Sequence, residues 1–152
     1  DTPGSIVLSS YDPLRRAAAV VLIVVDGMGY TFLRRRPRQD GLLQHLQGAM
    51  TSVFPSTTAT AITTFLTGTA PQQHGLTGWY MYLPEIGGIS AVLPFTWRGG
   101  ESLRKSGVEA APLVGHRSLY ERLAVPSYVI IPKNIANSDF NRAHGGAAQT
   151  LA

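Results

Sequence analysis

Two short segments carry the side chains with which this chain could do chemistry. An apolar run over residues 20–25 stops abruptly at Asp26, and two glycines follow within three residues. Further along, Phe54 and Pro55 open into a run of hydroxyl residues that includes Thr58. A carboxylate just past a strand is well placed to bind a cation, and a hydroxyl at a helix N-terminus lies beside N–H groups that hold phosphoryl oxygens. The pair predicts a metal ligand and a nucleophile for hydrolysis of phosphate or sulfate esters.

Each segment also has a purely structural interpretation. Asp26 could cap a helix between turn glycines, and Thr58 could be one of several Ser/Thr helix caps. A threonine hydroxyl is a poor nucleophile at its ordinary pKa, and metal coordination can make it an alkoxide at neutral pH. The order of the segments favours chemistry, because a third segment over residues 67–75, with Pro71 and His74, follows the hydroxyl run.

These three segments together resemble the alkaline phosphatase superfamily, and within it the type I phosphodiesterase/nucleotide pyrophosphatase group. The resemblance rests on ordered motifs: Val25-Asp26-Gly27, Phe54-Pro55-Ser56-Thr57-Thr58, and Thr67-Gly68 with Pro71 and His74-Gly75. It implies that Asp26 binds one of two zinc ions and that Thr58 is the nucleophile and also contacts the metal. It implies a small-molecule phosphate ester or a nucleotide as substrate, with His74 in a structural role.

The sequence departs from that family pattern in two places. Trp79 stands where the nucleotide pyrophosphatases have an asparagine that holds phosphoryl oxygens. Trp79 and Tyr80 are therefore interpreted as a possible substrate pocket, with aromatic packing in the core as the alternative. The family also needs further Asp and His ligands, including an Asp-His pair, whereas the later candidates are His116, Asp139 and His144.

Two zinc ions need roughly six to eight ligand bonds, and Asp26 and Thr58 supply a small share of them. The sequence is thus interpreted as the N-terminal portion, over residues 1–152, of a single alkaline phosphatase-like catalytic domain that is inactive by itself. Other interpretations within this fold are a phosphomutase or phosphonate hydrolase, and a non-catalytic binding domain. A sulfatase is disfavoured, because no Cys/Ser-x-Pro-x-Arg segment follows Phe54.

The elements that would position these residues alternate between strand and helix. Strands are predicted at 18–25, 48–54, 110–114 and 125–131, and helices at 30–46 (with a break near Pro37), 58–66, 101–106 and 118–123. Residues 75–100 are predicted to form turns and a hairpin, and 141–152 to begin a helix. The fold class is therefore α/β: a layered α/β/α domain with a mainly parallel sheet. Asp26 and Thr58 would meet at the carboxyl edge of that sheet.

Composition excludes several other classes. The chain has no cysteine, so a metal must be bound by oxygen or imidazole nitrogen. No apolar run is long enough for a transmembrane helix. The net charge of +4 includes a cluster of arginines over 34–38 with few aromatic neighbours, so no nucleic-acid polymer is predicted as partner. His45 is interpreted as a core-edge residue, and the compartment is left open.

Overall fold

The computed structural model describes residues 14, 16–36, 41–46, 48–114 and 116–152. The chain divides into two compact units, Asp1–Thr51 and Ser52–Ala152. Each unit is described by itself below. The predicted helix break at Pro37 lies outside the described residues.

The described part of the first unit contains two short helices, α1 (Tyr30–Arg34) and α2 (Gly41–Gln44). Helix α1 begins after Gly29, whose backbone is extended, and carries Arg34 in its last turn, where a cation suits the negative end of the helix dipole. Both helices fall within the stretch predicted as helical.

The predicted strand at 18–25 is wrong. These residues form no strand, and the side chains from Val20 to Val25 are between 43% and 83% exposed. A strand requires a neighbour to pair its backbone N–H and C=O groups, and the described residues of the first unit form no strand that could do so. The strand predicted at 48–54 is wrong as well, because these residues form no strand.

The second unit begins with helix α3 (Thr58–Thr67), which confirms the helix predicted there. Its N-cap is Thr57, and its C-cap is Gly68, which lies in the left-handed region where a residue without a Cβ is unstrained. Threonine is a modest helix former, but Thr63 and Thr67 donate their hydroxyls to the carbonyls of the residues four positions earlier, at 2.8 and 2.7 Å. Those bonds allow polar side chains to be fully buried in this unit.

Helix α4 (Pro71–His74) follows, and then a three-stranded antiparallel sheet. Its strands are β1 (Tyr80–Leu83), β2 (Gly88–Ala91) and β3 (Thr96–Trp97), with Tyr82 opposite Ile89 and Ser90 opposite Trp97. This sheet confirms the predicted hairpin. One face carries Met81 and Trp97, which pack on the core, and the other carries the exposed Tyr80 and Tyr82.

The rest of the second unit mixes short helices with one pair of strands. After a 3₁₀ helix (Leu103–Ser106), the elements are α5 (Ala110–Val114), α6 (Leu119–Arg122), β4 (Tyr128–Ile130), α7 (Lys133–Ala136), α8 (Asp139–His144) and β5 (Gln149–Leu151). Strands β4 and β5 are parallel. The strand predicted at 125–131 is confirmed, as are the two short helices predicted at 101–106 and 118–123.

Two element predictions in this region need correction. Residues 110–114 were predicted as a strand but form α5, which begins with two alanines, the best helix formers, and packs on α8. The helix expected from 141 onward is α8, which ends at His144 and is followed by β5.

The core of the second unit lies between α3, the sheet and α8. Its buried apolar residues are Ala59, Leu76, Val92, Phe95, Leu103, Ala110 and Phe140. The fold is mixed α/β, as predicted. The described sheets are not mainly parallel: the larger is antiparallel, and the parallel one has two strands. The segment expected to supply a central parallel strand, 18–25, forms none.

Candidate active site

Thr58 is the first residue of α3 and is half-buried. The turn before it is held by two contacts. The Thr57 backbone N–H donates to the Pro55 carbonyl at 3.0 Å, and Thr57 Oγ1 accepts from the Thr60 backbone N–H at 3.4 Å. Because the chain enters the helix through this hydrogen-bonded turn, the position of Thr58 is set locally by its own neighbours.

The N-terminus of α3 is suited to an anion. The first N–H groups of a helix have no partner within the helix, and the dipole places positive charge there. The first turn of α3 contains no acidic residue to offset that charge. The Thr60 N–H is already bonded to Thr57 Oγ1, so it is the positive end of the helix dipole that favours an anion next to Thr58.

Asp26 lies in the first unit, in an exposed turn. The next residue, Gly27, has a φ of +73°, so the backbone turns sharply after the carboxylate at a position that favours glycine. Thr58 belongs to the second unit. The expected proximity of Asp26 and Thr58 therefore stays a prediction.

The donors that zinc would need are incomplete. Across the described ranges, from residue 14 to 152 with their gaps, no group of three or more Asp, Glu, His or Cys side chains could hold a metal ion. The carboxylate of Asp26 and the hydroxyl of Thr58 are oxygen donors of a kind that zinc accepts, but a zinc ion takes about four ligands. The roles of Asp26 and Thr58 as metal ligands stay predictions.

Trp79 and Tyr80 lie on the surface, with 42% and 54% of their side chains exposed. Trp79 precedes β1, and its carbonyl accepts from the Val92 N–H at 2.9 Å, whereas the guanidinium of Arg98 lies 5.9 Å from the centre of the Tyr80 ring. Neither residue lines the small cavity of about 10 Å³ in the core beside Ser90. Their exposure argues against the core-packing alternative, and the substrate-pocket role stays a prediction.

Sequence reasoning missed a cluster of three histidines. His74 is buried, and both of its ring nitrogens are paired. Nδ1 accepts from the Leu76 backbone N–H at 3.1 Å, and Nε2 lies 3.1 Å from Thr64 Oγ1. Since Nδ1 is an acceptor, the proton of the neutral ring is on Nε2, which donates to the Thr64 hydroxyl. Burial, with smaller contributions from His116 and His144, lowers the pKa of His74 to about 4.

His144 and His116 complete this cluster. The His144 ring is 1% exposed, and its Nδ1–H donates to the Phe140 carbonyl at 2.9 Å. Its Nε2 is buried without a hydrogen-bond partner among the described residues. Burial lowers the pKa of His144, as does His116. The ring of His116 meets that of His74 edge-on, with centroids 6.5 Å apart.

The sequence pairing of Asp139 with His144 finds no support in their contacts. Asp139 binds Arg104 at 3.3 Å and Arg142 at 2.9 Å, whereas His144 binds the backbone of Phe140. No pattern in the sequence signalled the histidine cluster, because its three members come from separate elements and share no motif.

The sequence model for type I phosphodiesterase / nucleotide pyrophosphatase matches residues 20–138. The chain belongs to this family. A search of curated proteins and a search of solved structures each found no match.

This match confirms the resemblance seen in the motifs. The type I phosphodiesterase/nucleotide pyrophosphatase family consists of hydrolases that act on small phosphate-ester or nucleotide substrates. The matched stretch contains Asp26, Thr58, His74 and Trp79. In the described parts of this family member, no helix has the length and apolar character needed to cross a membrane.

Proposed function

We propose that this chain is part of a zinc-dependent phosphodiesterase or nucleotide pyrophosphatase in which Thr58 is the nucleophile and Asp26 a metal ligand. The observation that carries the proposal is the position of Thr58. Its hydroxyl stands at the N-terminus of a ten-residue helix with no acidic residue in the first turn, within the stretch matched by the family.

The proposed reaction has two displacements at phosphorus. Thr58 Oγ1 loses its proton and attacks phosphorus, one ester oxygen of the diester leaves with a proton, and a phosphothreonine that still carries the second ester group forms. Water then attacks that phosphorus, and the phosphate monoester leaves as Thr58 regains its hydroxyl proton. The N-terminal N–H groups of α3 hold the phosphoryl oxygens as their charge develops. Bound zinc would supply positive charge that lowers the pKa of the Thr58 hydroxyl.

The incomplete donor set leads to a second part of the proposal. Asp26 and Thr58 would be this chain's contribution to two zinc sites, and residues 1–152 would be the N-terminal portion of one alkaline phosphatase-like catalytic domain. We therefore expect the 152-residue chain to be inactive by itself. Reading the encoding frame past Ala152 tests this directly, since an Asp with a nearby His, an Asp-His pair and a further His would complete the sites.

One observation favours a different function. Trp79 occupies the position at which the family resemblance expects an asparagine, and its indole is exposed rather than packed in the core. A non-catalytic domain that keeps the fold and binds a ring-containing ligand is the second candidate. A phosphomutase or phosphonate hydrolase would keep Thr58 as nucleophile and differ in substrate, so phosphonate esters belong in the same assay.

The decisive experiment measures hydrolysis of a p-nitrophenyl phosphodiester, with zinc present, by the protein from the complete reading frame. Thr58→Ala should abolish turnover, and mass spectrometry of acid-quenched wild-type enzyme should find the substrate's phosphoryl group, with its remaining ester, on Thr58. The matched control is Ser56→Ala, which removes an exposed hydroxyl from the same turn and should keep wild-type turnover. Appreciable hydrolysis by the Thr58→Ala protein would exclude the nucleophile assignment. Calorimetry showing no zinc binding at micromolar metal would favour the binding domain.

A further inference from the structure

We propose that His74, His116 and His144 form a proton-sensitive latch, in which neutral His74 ties helix α3 to the turn at Leu76 and protonation releases that turn. This inference does not depend on the proposed function. It rests on the hydrogen bonds and burial of the second unit.

The latch is closed only when His74 is neutral. Its Nδ1 must accept the Leu76 N–H, and its Nε2–H must donate to Thr64 in α3. A protonated imidazole has N–H groups at both positions, so Nε2 still donates to Thr64 but Nδ1 can no longer accept the Leu76 N–H. The Leu76 N–H would then face another N–H. Because Leu76 belongs to the buried core, its N–H would have to find a new partner or reach water.

The surroundings of His74 disfavour a positive charge. His116, on the segment before α6, and His144, on α8, both act against protonation of His74. No compensating carboxylate acts on His74 among the described residues. From α6, the guanidinium of Arg122 lies against Gly68 at the C-terminus of α3.

His144 is buried as well, and burial lowers its pKa. Its buried Nε2 has no hydrogen-bond partner in the described structure, so a proton added there would be buried without an acceptor. Glu121 on α6 favours the charged form of His144, but the effect of burial on the pKa of His144 is larger. The Glu121 carboxylate already accepts a hydrogen bond from the Ser118 N–H. Protonation of one histidine raises the cost of protonating the next.

The other bond of His74 is to the helix that begins at Thr58. Thr64 lies on α3, and its bond to His74 is a side-chain link from that helix to the C-terminal end of α4. Because Nε2–H donates in this bond with or without a proton on Nδ1, protonation leaves the link in place. Acid would therefore release the turn from His74 to Leu76 while His74 stays tied to α3.

The test is a pH series of amide hydrogen exchange and histidine NMR on the 152-residue chain. The His74 ring should titrate near 4, with the proton of the neutral form on Nε2. In the opened turn, His74 should have its ordinary pKa of 6.5. Opening then takes up a proton between pH 6.5 and 4, so the protection factor of the Leu76 amide should fall roughly tenfold for each pH unit in that range. His74→Gln keeps an amide donor and acceptor but cannot titrate, so its Leu76 protection should stay flat over this range.

The control variant is His45→Gln, which removes an exposed histidine of the first unit and should keep the wild-type pH dependence. Titration of His74 near 6.5, or Leu76 protection that does not change between pH 6.5 and 4, overturns the latch. The wild-type ring titration decides the matter even where His74→Gln does not fold. No readout uses a phosphate ester, so failure of the latch and failure of the Thr58 assignment are separate results.

Discussion

The side chain of Thr57 caps the N-terminus of α3 by contacting both the side chain and the backbone N–H of Thr60. The two Oγ1 atoms are 3.0 Å apart, and Thr57 Oγ1 also accepts from the Thr60 backbone N–H at 3.4 Å. Thr60 is fully buried, so this contact both caps the helix and gives a buried hydroxyl a partner. It also fixes the turn from which Thr58 is presented.

Replacing Thr57 by alanine should therefore destabilise the second unit. Loss of a threonine N-cap costs about 1 kcal/mol, and the Thr60 hydroxyl loses a partner as well. Thr57→Ser keeps the capping oxygen and should stay close to wild type. Urea unfolding followed by circular dichroism measures both changes. Equal midpoints for Thr57→Ala and Thr57→Ser would show that the cap does not hold this helix.

A second prediction concerns the indole of Trp97, which covers Gly88 on the neighbouring strand. A Cβ at Gly88 would lie 2.4 Å from Cζ3 of that ring, closer than real atoms approach. Gly88→Ala should force the indole off its position, break its hydrogen bond to Ser106 and destabilise the unit by about 1–3 kcal/mol.

The matched control for that change is Gly99→Ala, because a Cβ at Gly99 meets nothing within 4 Å. Thermal unfolding followed by tryptophan fluorescence should give a lower midpoint for Gly88→Ala and a midpoint near wild type for Gly99→Ala. Equal unfolding midpoints for the two variants would show that the contact between Gly88 and the Trp97 indole does not exclude a side chain at position 88.

The third prediction is a loss of stability in acid with a defined sign. Burial lowers the pKa of His74 from 6.5 to about 4 in the folded protein, so below 6.5 the unfolded chain binds more protons. The contribution of His74 to stability is constant above pH 6.5, falls as the pH drops toward 4, and changes little below that. The lowered pKa of His144 acts in the same direction.

The size of this loss is about 1–3 kcal/mol for His74 between neutral pH and pH 4. Urea unfolding at a series of pH values measures it, and His74→Gln should flatten the slope in this window. Other titrating groups also change the stability in acid, so the difference between wild type and His74→Gln is the informative quantity. A wild-type curve that matches the His74→Gln curve throughout would contradict the prediction.

Part of the fold could be predicted because its signals are local. Helix α3 has a capping threonine before it and Gly68 after it, and a helix needs no partner to form its backbone hydrogen bonds. The segment 18–25 shows the opposite case. Its apolar, β-branched composition is typical of a buried strand, yet strand formation depends on a neighbour that composition does not reveal.

The sequence by itself determined the family and the candidate chemistry. The ordered motifs around Asp26, Thr58 and His74 are readable without a structure, because each is a short contiguous stretch, and the family match over residues 20–138 confirms their resemblance. Only the tertiary structure decided which distant residues meet. The histidine cluster and the contact between Gly88 and Trp97 join residues from different elements. Such contacts, and the burial that lowers the pKa of His74, arise only when the chain packs and excludes water.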